Sequence, residues 1–225
     1  MKLRNDIPII AIDGTVASGK GTIAYKLSEK LGFHYLNSGA LYRLVAYHAL
    51  SNGVDLAHKE GVVEAARNIS PEFKGKQVIY QGHDVWPLIS SQEYGNHASV
   101  ISPIPELRSV LHQLQRSMIK FPGLVAEGRD MRTEVFTDAK VKIFLDADIY
   151  VRAERRLKDE EKIGSGKTLE KLVDELRARD HRDMSRDHGK LQMYVENGHI
   201  VDSSMLTVDE TIEQIISICT SKDIL

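Results

Sequence analysis

Short apolar runs alternate along the chain with longer segments whose apolar residues recur at helical spacing. An apolar run of about four to eight residues suits a buried strand and is too short for a buried helix. The predicted strands cover residues 7–13, 33–36, 124–127, 141–145 and 200–202. The predicted helices cover 20–31, 41–50, 151–162 and 169–182, and a last helix begins near Thr207, whose spacing to Glu210 fits a capping box. This alternation predicts an α/β fold with a parallel sheet and helices on both faces.

Two stretches of the chain depart from this alternation. Gly and Pro recur between residues 52 and 105, and 76–85 has strand character with a turn signal at 81–84. We interpret this stretch as a small β-containing insertion. Residues 150–190 are instead dense in Arg and Lys, and Gly164-Ser165-Gly166 between the two predicted helices suits a hinge.

The composition is that of an ordinary folded protein and excludes several classes. The chain has 225 residues, of which 42% are hydrophobic and 28% charged, so it can bury a sizeable core. A formal net charge of −2 gives no global attraction to nucleic acid or to a membrane surface. No apolar run is long enough for a membrane-spanning helix. The single cysteine, Cys219, excludes an internal disulfide, and with no signal-peptide pattern at the start it predicts a cytoplasmic protein.

A glycine-rich loop after the first predicted strand is the strongest motif. It reads Gly14-Thr15-Val16-Ala17-Ser18-Gly19-Lys20-Gly21-Thr22 and fits the pattern G-x-x-x-x-G-K. Glycines let backbone N–H groups approach a phosphate, the next helix points its positive end at the same group, and Lys20 adds a charge that can follow the transferred phosphoryl group. We predict that the loop binds ATP and that Lys20 is catalytic. Gly21 lacks the usual hydroxyl ligand of Mg²⁺, so that ion would be held largely through water, and no metal site of the protein's own is predicted.

Several further strings occur in order at compatible separations. They are IDGTVASGKGT, LNSGALYR, residues 92–99 with 105–108, EGRDM, KIFLDA, RARDHRD followed by Arg186, and VDSS. On these strings the chain resembles the bacterial cytidylate kinases, which are nucleoside monophosphate kinases of the P-loop NTPase fold. The resemblance implies a three-layer α/β core, transfer of the γ-phosphoryl group of ATP to CMP and also to dCMP, and a monomer that needs no nucleic acid or membrane partner.

The same resemblance implies three regions and a set of site residues. The ATP-binding core would be 1–37, 106–151 and 191–225, the nucleoside monophosphate region 38–105, and a helical lid 152–190. Arg43, Arg129 and Arg186 match residues that hold the CMP phosphate. Ser99, Arg108 and Asp130 match residues that contact the cytosine ring. Arg179 and Asp183 match residues at the sugar. Ser38 and Tyr42 match residues beside the substrate.

Arginines at the start of the predicted lid are candidates for stabilising charge during transfer. Arg152 and Arg156 share a helix face by their four-residue spacing, and Arg155 lies beside them. We assign catalytic roles to Arg152 and Arg156 together with Lys20, Arg129 and Arg186. The alternative for the α-helical arginines is a solvated basic face.

The chain also departs from the family pattern. Thr15 and Ala17 stand where Pro and Gly are usual in the loop, Ser90 replaces a frequent Arg, and Arg132 follows GRDM where Gly is usual. Arg132 would either add positive charge near the phosphates or face solvent. Asp13, at the tip of the first strand, would either order Mg²⁺-bound water or cap the turn.

Other functions remain open at this level. The nearest is a kinase for UMP, AMP or another small acceptor on the same scaffold. A non-catalytic nucleotide switch belongs to a different class, but the N-K-x-D motif of guanine-specific switches is absent. A nucleic-acid-binding ATPase ranks last, because the net charge is slightly acidic and no aromatic and basic platform occurs.

Overall fold

The computed structural model describes residues 7–162, 166–185 and 198–224, with the backbone alone at 162 and 182–185. The strands are β1 (Ile9–Gly14), β2 (His34–Asn37), β3 (Glu72–Lys74), β4 (Gln77–Tyr80), β5 (His83–Asp84), β6 (Leu124–Glu127), β7 (Val141–Asp146) and β8 (Gly198–Asp202). The helices are α1 (Lys20–Leu31), α2 (Ser38–Ser51), α3 (Lys59–Arg67), α4 (Trp86–Ile89), α5 (Gln92–Ile101), α6 (Pro105–Ser117), a π-helical turn (Met131–Val135), α7 (Ile149–Lys162), α8 (Leu169–Ser185) and α9 (Val208–Ser221). All five predicted strands and all five predicted helices are confirmed to within a few residues.

The chain forms two compact units. Within the described residues, the first unit contains residue 7 and 32–124, and the second contains 8–31 and the chain from 125 onward. The predicted three-region division therefore stays a prediction, and the second unit holds α7 and α8 together with the glycine-rich loop.

The second unit is built on parallel strands. It carries four of the five strands of the main sheet, in the order β6-β1-β7-β8. β1 pairs in parallel with β7, from Ile10 opposite Val141 to Gly14 opposite Leu145, and β7 pairs in parallel with β8. Every residue of β1 is buried, as its unbroken apolar run predicted. The parallel α/β class is confirmed, and the carboxyl ends of β1 and β7 lie side by side.

The first unit contains the β-containing insertion, which is correct as a prediction but incomplete. β3, β4 and β5 form a separate antiparallel sheet. The hairpin turn consists of Gln81 and Gly82 alone, both at positive φ as a tight two-residue turn requires, so the predicted turn at 81–84 was too long. Helices α3, α4 and α5 fill the rest of the stretch, and the apolar pattern had not indicated them.

Helix α2 begins earlier than predicted, and its cap explains why. Asn37 has extended backbone and its Oδ1 accepts the N–H of Ala40 at 3.0 Å. A side-chain acceptor there satisfies an N–H group that has no partner inside the helix, and it fixes the helix start at Ser38. The apolar spacing that suggested a start at Leu41 reflects burial only.

Candidate active site

The glycine-rich loop joins β1 to α1 and folds around one carbonyl. Thr15 O accepts the Ser18 N–H at 3.4 Å, the Ser18 Oγ–H at 2.9 Å and Lys20 Nζ at 3.2 Å. The loop turns through positive φ at Ala17 (60°) and Gly19 (87°). These bonds give the loop the compact curve expected of a phosphate cradle and hold the Lys20 ammonium beside it.

Gly14 is required by the sheet. A Cβ atom at this position would lie 2.1 Å from the Leu145 carbonyl oxygen on β7, and the next residue, Thr15, donates its N–H to that same oxygen at 3.3 Å. The motif alone predicts that the loop glycines let the backbone approach a phosphate. For Gly14 the structure adds a nearer reason, which is contact with the neighbouring strand.

Asp146 ends β7 and anchors the loop from the side. Its Oδ1 accepts the Thr15 Oγ–H at 2.8 Å and the Ala147 N–H at 2.9 Å. Thr15 is the residue that stands where the family usually has Pro. Its hydroxyl thus supplies a side-chain tether from the loop to β7 that a proline could not supply.

The turn after β6 carries Arg129 and Asp130, which are predicted to bind CMP. It lies at the same end of the sheet as the phosphate loop. Arg129 Nη1 donates to the Gly14 carbonyl oxygen, and the Gly128 N–H donates to the Ile12 carbonyl at 3.0 Å. Asp130 is 4% exposed, and its carbonyl accepts N–H groups of the π-helical turn from Glu134 and Val135. Arg129 and Asp130 are therefore held next to the start of the phosphate loop.

Arg132 and Asp13 form a buried ion pair, which contradicts the prediction of a solvent-facing Arg132. Asp13 Oδ1 accepts the Met131 N–H at 2.9 Å, and its Oδ2 accepts the Arg132 N–H at 2.9 Å and Arg132 Nε at 3.1 Å. The Arg132 guanidinium carbon lies 4.9 Å from the centre of the Phe144 ring. Arg132 does not face solvent, and Asp13 ties the turn after β6 to the tip of β1. Burial raises the pKa of Asp13 although Arg132 opposes the shift, and burial lowers the pKa of Arg132.

Two of the three arginines at the start of α7, Arg152 and Arg155, donate to the phosphate loop and do not form a solvated face. Arg152 is 6% exposed. Its Nε donates to the Ala147 carbonyl at 2.8 Å, and its Nη1 donates to the Val16 carbonyl at 3.1 Å. Arg155 donates to the Ser18 carbonyl at 3.3 Å, and burial lowers its pKa. Arg156 is more exposed and pairs with Glu160 on its own helix at 2.7 Å. Contact of Arg156 with a transferred phosphoryl group stays a prediction.

The first unit contains five further residues that are predicted to bind CMP. Ser38 and Tyr42 are buried on the first turns of α2. Arg43 Nη1 donates to the carbonyls of Ile89 and Ser91 at 2.7 and 2.6 Å. Two predicted residues meet at a glycine of α5, since a Cβ at Gly95 would lie 2.8 Å from Arg43 Nη2, and Ser99 Oγ donates to the Gly95 carbonyl at 3.0 Å. Arg108 is half-buried on α6.

Three predicted residues lie in or beyond α8. Arg179 is half-buried on this helix. Asp183 belongs to α8, but its side chain is outside the described residues, and Arg186 lies outside them altogether. Their predicted roles at the sugar and the CMP phosphate stay predictions.

Sequence reasoning missed Asp180. Its Oδ2 accepts Arg152 Nη1 at 2.7 Å, and its Oδ1 accepts the Val16 N–H at 3.4 Å. A usable signal existed, because Leu172, Leu176 and Asp180 are spaced by four and so share the buried stripe of α8. A carboxylate in such a stripe indicates a partner on the facing element.

The described ranges contain neither a cluster of metal ligands nor a helix suited to crossing a membrane. Among residues 7–162, 166–185 and 198–224 no group of three or more His, Cys, Asp or Glu side chains could hold a metal ion. Over the same ranges no helix combines the length and the hydropathy that a membrane crossing would require.

Comparisons with known proteins agree on one family. The family model described as Cytidylate kinase matches residues 10–221. The chain is 40% identical to the cytidylate kinase of Aliivibrio salmonicida over 219 residues, which are 96% of this chain and 97% of that protein. It is 43% identical to the cytidylate kinase of Cupriavidus necator over 210 residues, which are 93% of this chain and 94% of that protein.

Solved structures support the fold alone. TT1252 from Thermus thermophilus superposes with a TM-score of 0.52 at 17% identity, covering 96% of this chain and 98% of that one. An uncharacterized protein from Eubacterium ventriosum also gives 0.52, at 14% identity, covering 95% of this chain and 99% of that one.

Proposed function

Because the chain belongs to the cytidylate kinase family, we propose that it transfers the γ-phosphoryl group of ATP to CMP and forms CDP and ADP. The observation that carries this proposal is the loop of the second unit. The loop follows the buried parallel strand β1 and folds around the Thr15 carbonyl, to which Lys20 donates. Arg129 donates to the Gly14 carbonyl at the start of the loop. A positive cradle next to a further guanidinium suits a reaction between two phosphate groups.

The acceptor needs no general base. The second pKa of a phosphate monoester is about 6, so the CMP phosphate is mostly a dianion at neutral pH. Catalysis then consists of placing two anions in line and stabilising the charge that develops between them. Lys20 would exchange its bond to the Thr15 carbonyl for an oxygen of the transferred phosphoryl group. Arg129 and Arg186, with Arg43, would hold the attacking phosphate.

Mg²⁺ is proposed to enter with ATP. The described residues offer no cluster of metal ligands, Gly21 has no hydroxyl group, and Asp13 is committed to Arg132 and to backbone N–H groups. This donor set suits Mg²⁺ that is carried by nucleotide phosphates and water, as is common for this ion. Bound in that way, the ion would neutralise phosphate charge.

Asp130 is proposed to select the base. A cytosine presents an amino group that a carboxylate accepts, whereas uracil presents a carbonyl oxygen that the carboxylate repels. Asp130 is 4% exposed, so a mismatched polar group there would be poorly compensated by water. Ser99 and Arg108 would complete the base contacts, and Ser38, Tyr42, Arg179 and Asp183 those to the rest of the nucleotide. We extend the proposal to dCMP as a second acceptor and to a cytoplasmic monomer.

A panel of acceptors with ATP tests the function. Release of ADP is measured with CMP, dCMP, UMP and AMP in turn. CMP should give the highest kcat/KM, and Lys20→Ala should lower kcat about 100-fold or more because a charge at the reacting group is lost. The matched control is Lys26→Ala, an exposed lysine on the same helix, which should be close to wild type. Dominant turnover of UMP or AMP would overturn the assignment.

A further inference from the structure

One buried ion pair holds both polar backbone groups of Val16. Arg152 Nη1 donates to the Val16 carbonyl at 3.1 Å and to Asp180 Oδ2 at 2.7 Å. The other carboxylate oxygen of Asp180 accepts the Val16 N–H in a longer bond of 3.4 Å. Both polar backbone groups of this loop residue are thus hydrogen-bonded to side chains. The carbonyl accepts from Arg152 of α7, and the N–H donates to Asp180 of α8.

The charges of Arg152 and Asp180 are sheltered from solvent. Arg152 is 6% exposed and Asp180 is 8% exposed. A buried charge is costly unless it is paired and hydrogen-bonded, and both conditions are met here. Arg155 extends the same arrangement, because it donates from α7 to the carbonyl of Ser18, two residues further along the loop. The loop backbone is therefore held by side chains at two points.

Apolar packing supports the same segment. Ala153, Leu172, Val173 and Leu176 form a buried cluster between α7 and α8, and Val16 and Ala17 pack against it. Ala17 has a φ of 60°, a conformation that residues other than Gly rarely adopt. A surrounding structure must enforce such a conformation, and the cluster together with the ion pair can do so.

We propose that Asp180 and Arg152 are positioning residues that hold the phosphate loop in the shape that accepts ATP. The proposal rests on the function argued above and gives Arg152 a different role from direct contact with the transferred group. Without the bonds from Arg152 and Asp180, the Val16–Gly19 segment would sample other conformations. ATP would then bind only to the fraction of molecules whose loop has the binding conformation. The affinity for ATP should fall, whereas the affinity for CMP should not.

Asp180→Ala tests this inference, and Asp174→Asn is the control because Asp174 is exposed on the same helix and pairs only loosely with Arg177. The Kd of ATP is measured by calorimetry without CMP, and the two KM values are measured by steady-state kinetics. Asp180→Ala should weaken ATP binding about tenfold or more and leave the KM of CMP within about twofold of wild type. Asp174→Asn should change neither value. Asp180→Asn, which keeps one acceptor oxygen, should be intermediate and serves if the alanine variant does not fold.

Two results would overturn the inference. In the first, a folded variant has a lower Tm but binds ATP like wild type, which is the behaviour of a purely structural contact. In the second, the KM of CMP rises as much as that of ATP, which indicates a general loss of the site. Failure of the proposed function looks different, because wild type would then bind ATP and give no CDP from CMP.

Discussion

Arg132 Nε donates to Asp13 Oδ2 at 3.1 Å inside the second unit, where the two side chains are 1% and 0% exposed. The pair joins the turn after β6 to the tip of β1, and so joins the segment that carries Arg129 and Asp130 to the strand that leads into the phosphate loop. A residue that departs from the family pattern therefore sits under the candidate site and sets the position of its backbone.

Removal of one partner should destabilise the protein strongly. Arg132→Met leaves the Asp13 carboxylate buried without its guanidinium, and breaking a buried pair in this way costs about 3–5 kcal/mol. The double variant Asp13→Asn/Arg132→Met should recover part of that loss, because the buried charge is also gone. Urea unfolding measures both effects. Lys30→Ala, which breaks an exposed pair with Glu213, should cost less than about 1 kcal/mol. Equal losses for the buried and the exposed pair would contradict this account.

Asp130→Asn should reduce the preference for CMP over UMP. The amide keeps the size of the carboxylate, but it can present a donor to uracil and is a weaker acceptor for the cytosine amino group. We expect kcat/KM for CMP to fall about tenfold or more, with UMP unchanged or improved. Steady-state kinetics with both acceptors give the ratio, and Glu134→Gln, exposed in the next turn, is the matched control. An unchanged ratio would remove Asp130 from base selection.

The Cys219 thiol should react slowly in the native protein. Burial on α9 raises its pKa to about 11 from an ordinary value of 9.0. Since the thiolate is the reactive form, a rise of that size lowers the reactive fraction about 100-fold at pH 8. A chromogenic disulfide reagent should therefore label the protein quickly only in urea. Cys219 is the only cysteine, so Cys219→Ser gives the blank, and fast labelling of native protein would refute the burial argument.

The capping box of α9 should give a measurable acid dependence. The backbone and hydroxyl groups of Thr207 donate to Glu210 and lower the pKa of its carboxyl below the ordinary value of 4.5. A carboxyl with a lowered pKa stabilises the folded state above its unfolded pKa, and that stability is lost as the pH falls from about 4.5 through the folded pKa. Glu210→Gln keeps the cap geometry without titrating. Its free energy of unfolding should fall less steeply below pH 4.5, and parallel profiles for the two proteins would exclude the effect.

Local patterns predicted the parts of this molecule that depend on local physics. The unbroken apolar run of β1, the loop after it and the Thr207–Glu210 cap are all readable from neighbouring residues. The start of α2 was misplaced because apolar spacing reports burial, whereas Asn37 sets the boundary.

Contacts between distant residues could not be read in the same way. Arg132 finds Asp13 across 119 positions, and Arg152 reaches Val16 across 136. Nothing in the composition around either arginine distinguishes a buried partner from a solvated charge. The buried stripe of α8 that contains Asp180 indicated a buried carboxylate, but it did not identify the residue that pairs with it.

The missing side chain at Gly14 limits which residues can begin the phosphate loop. Any bulk there would wedge β1 away from β7, since the Leu145 oxygen already fills that space. The first residue of the donor loop is thus packed directly against the backbone of β7. Even the methyl group of alanine would have to displace the strand backbone beside the loop, so only glycine is compatible with this contact.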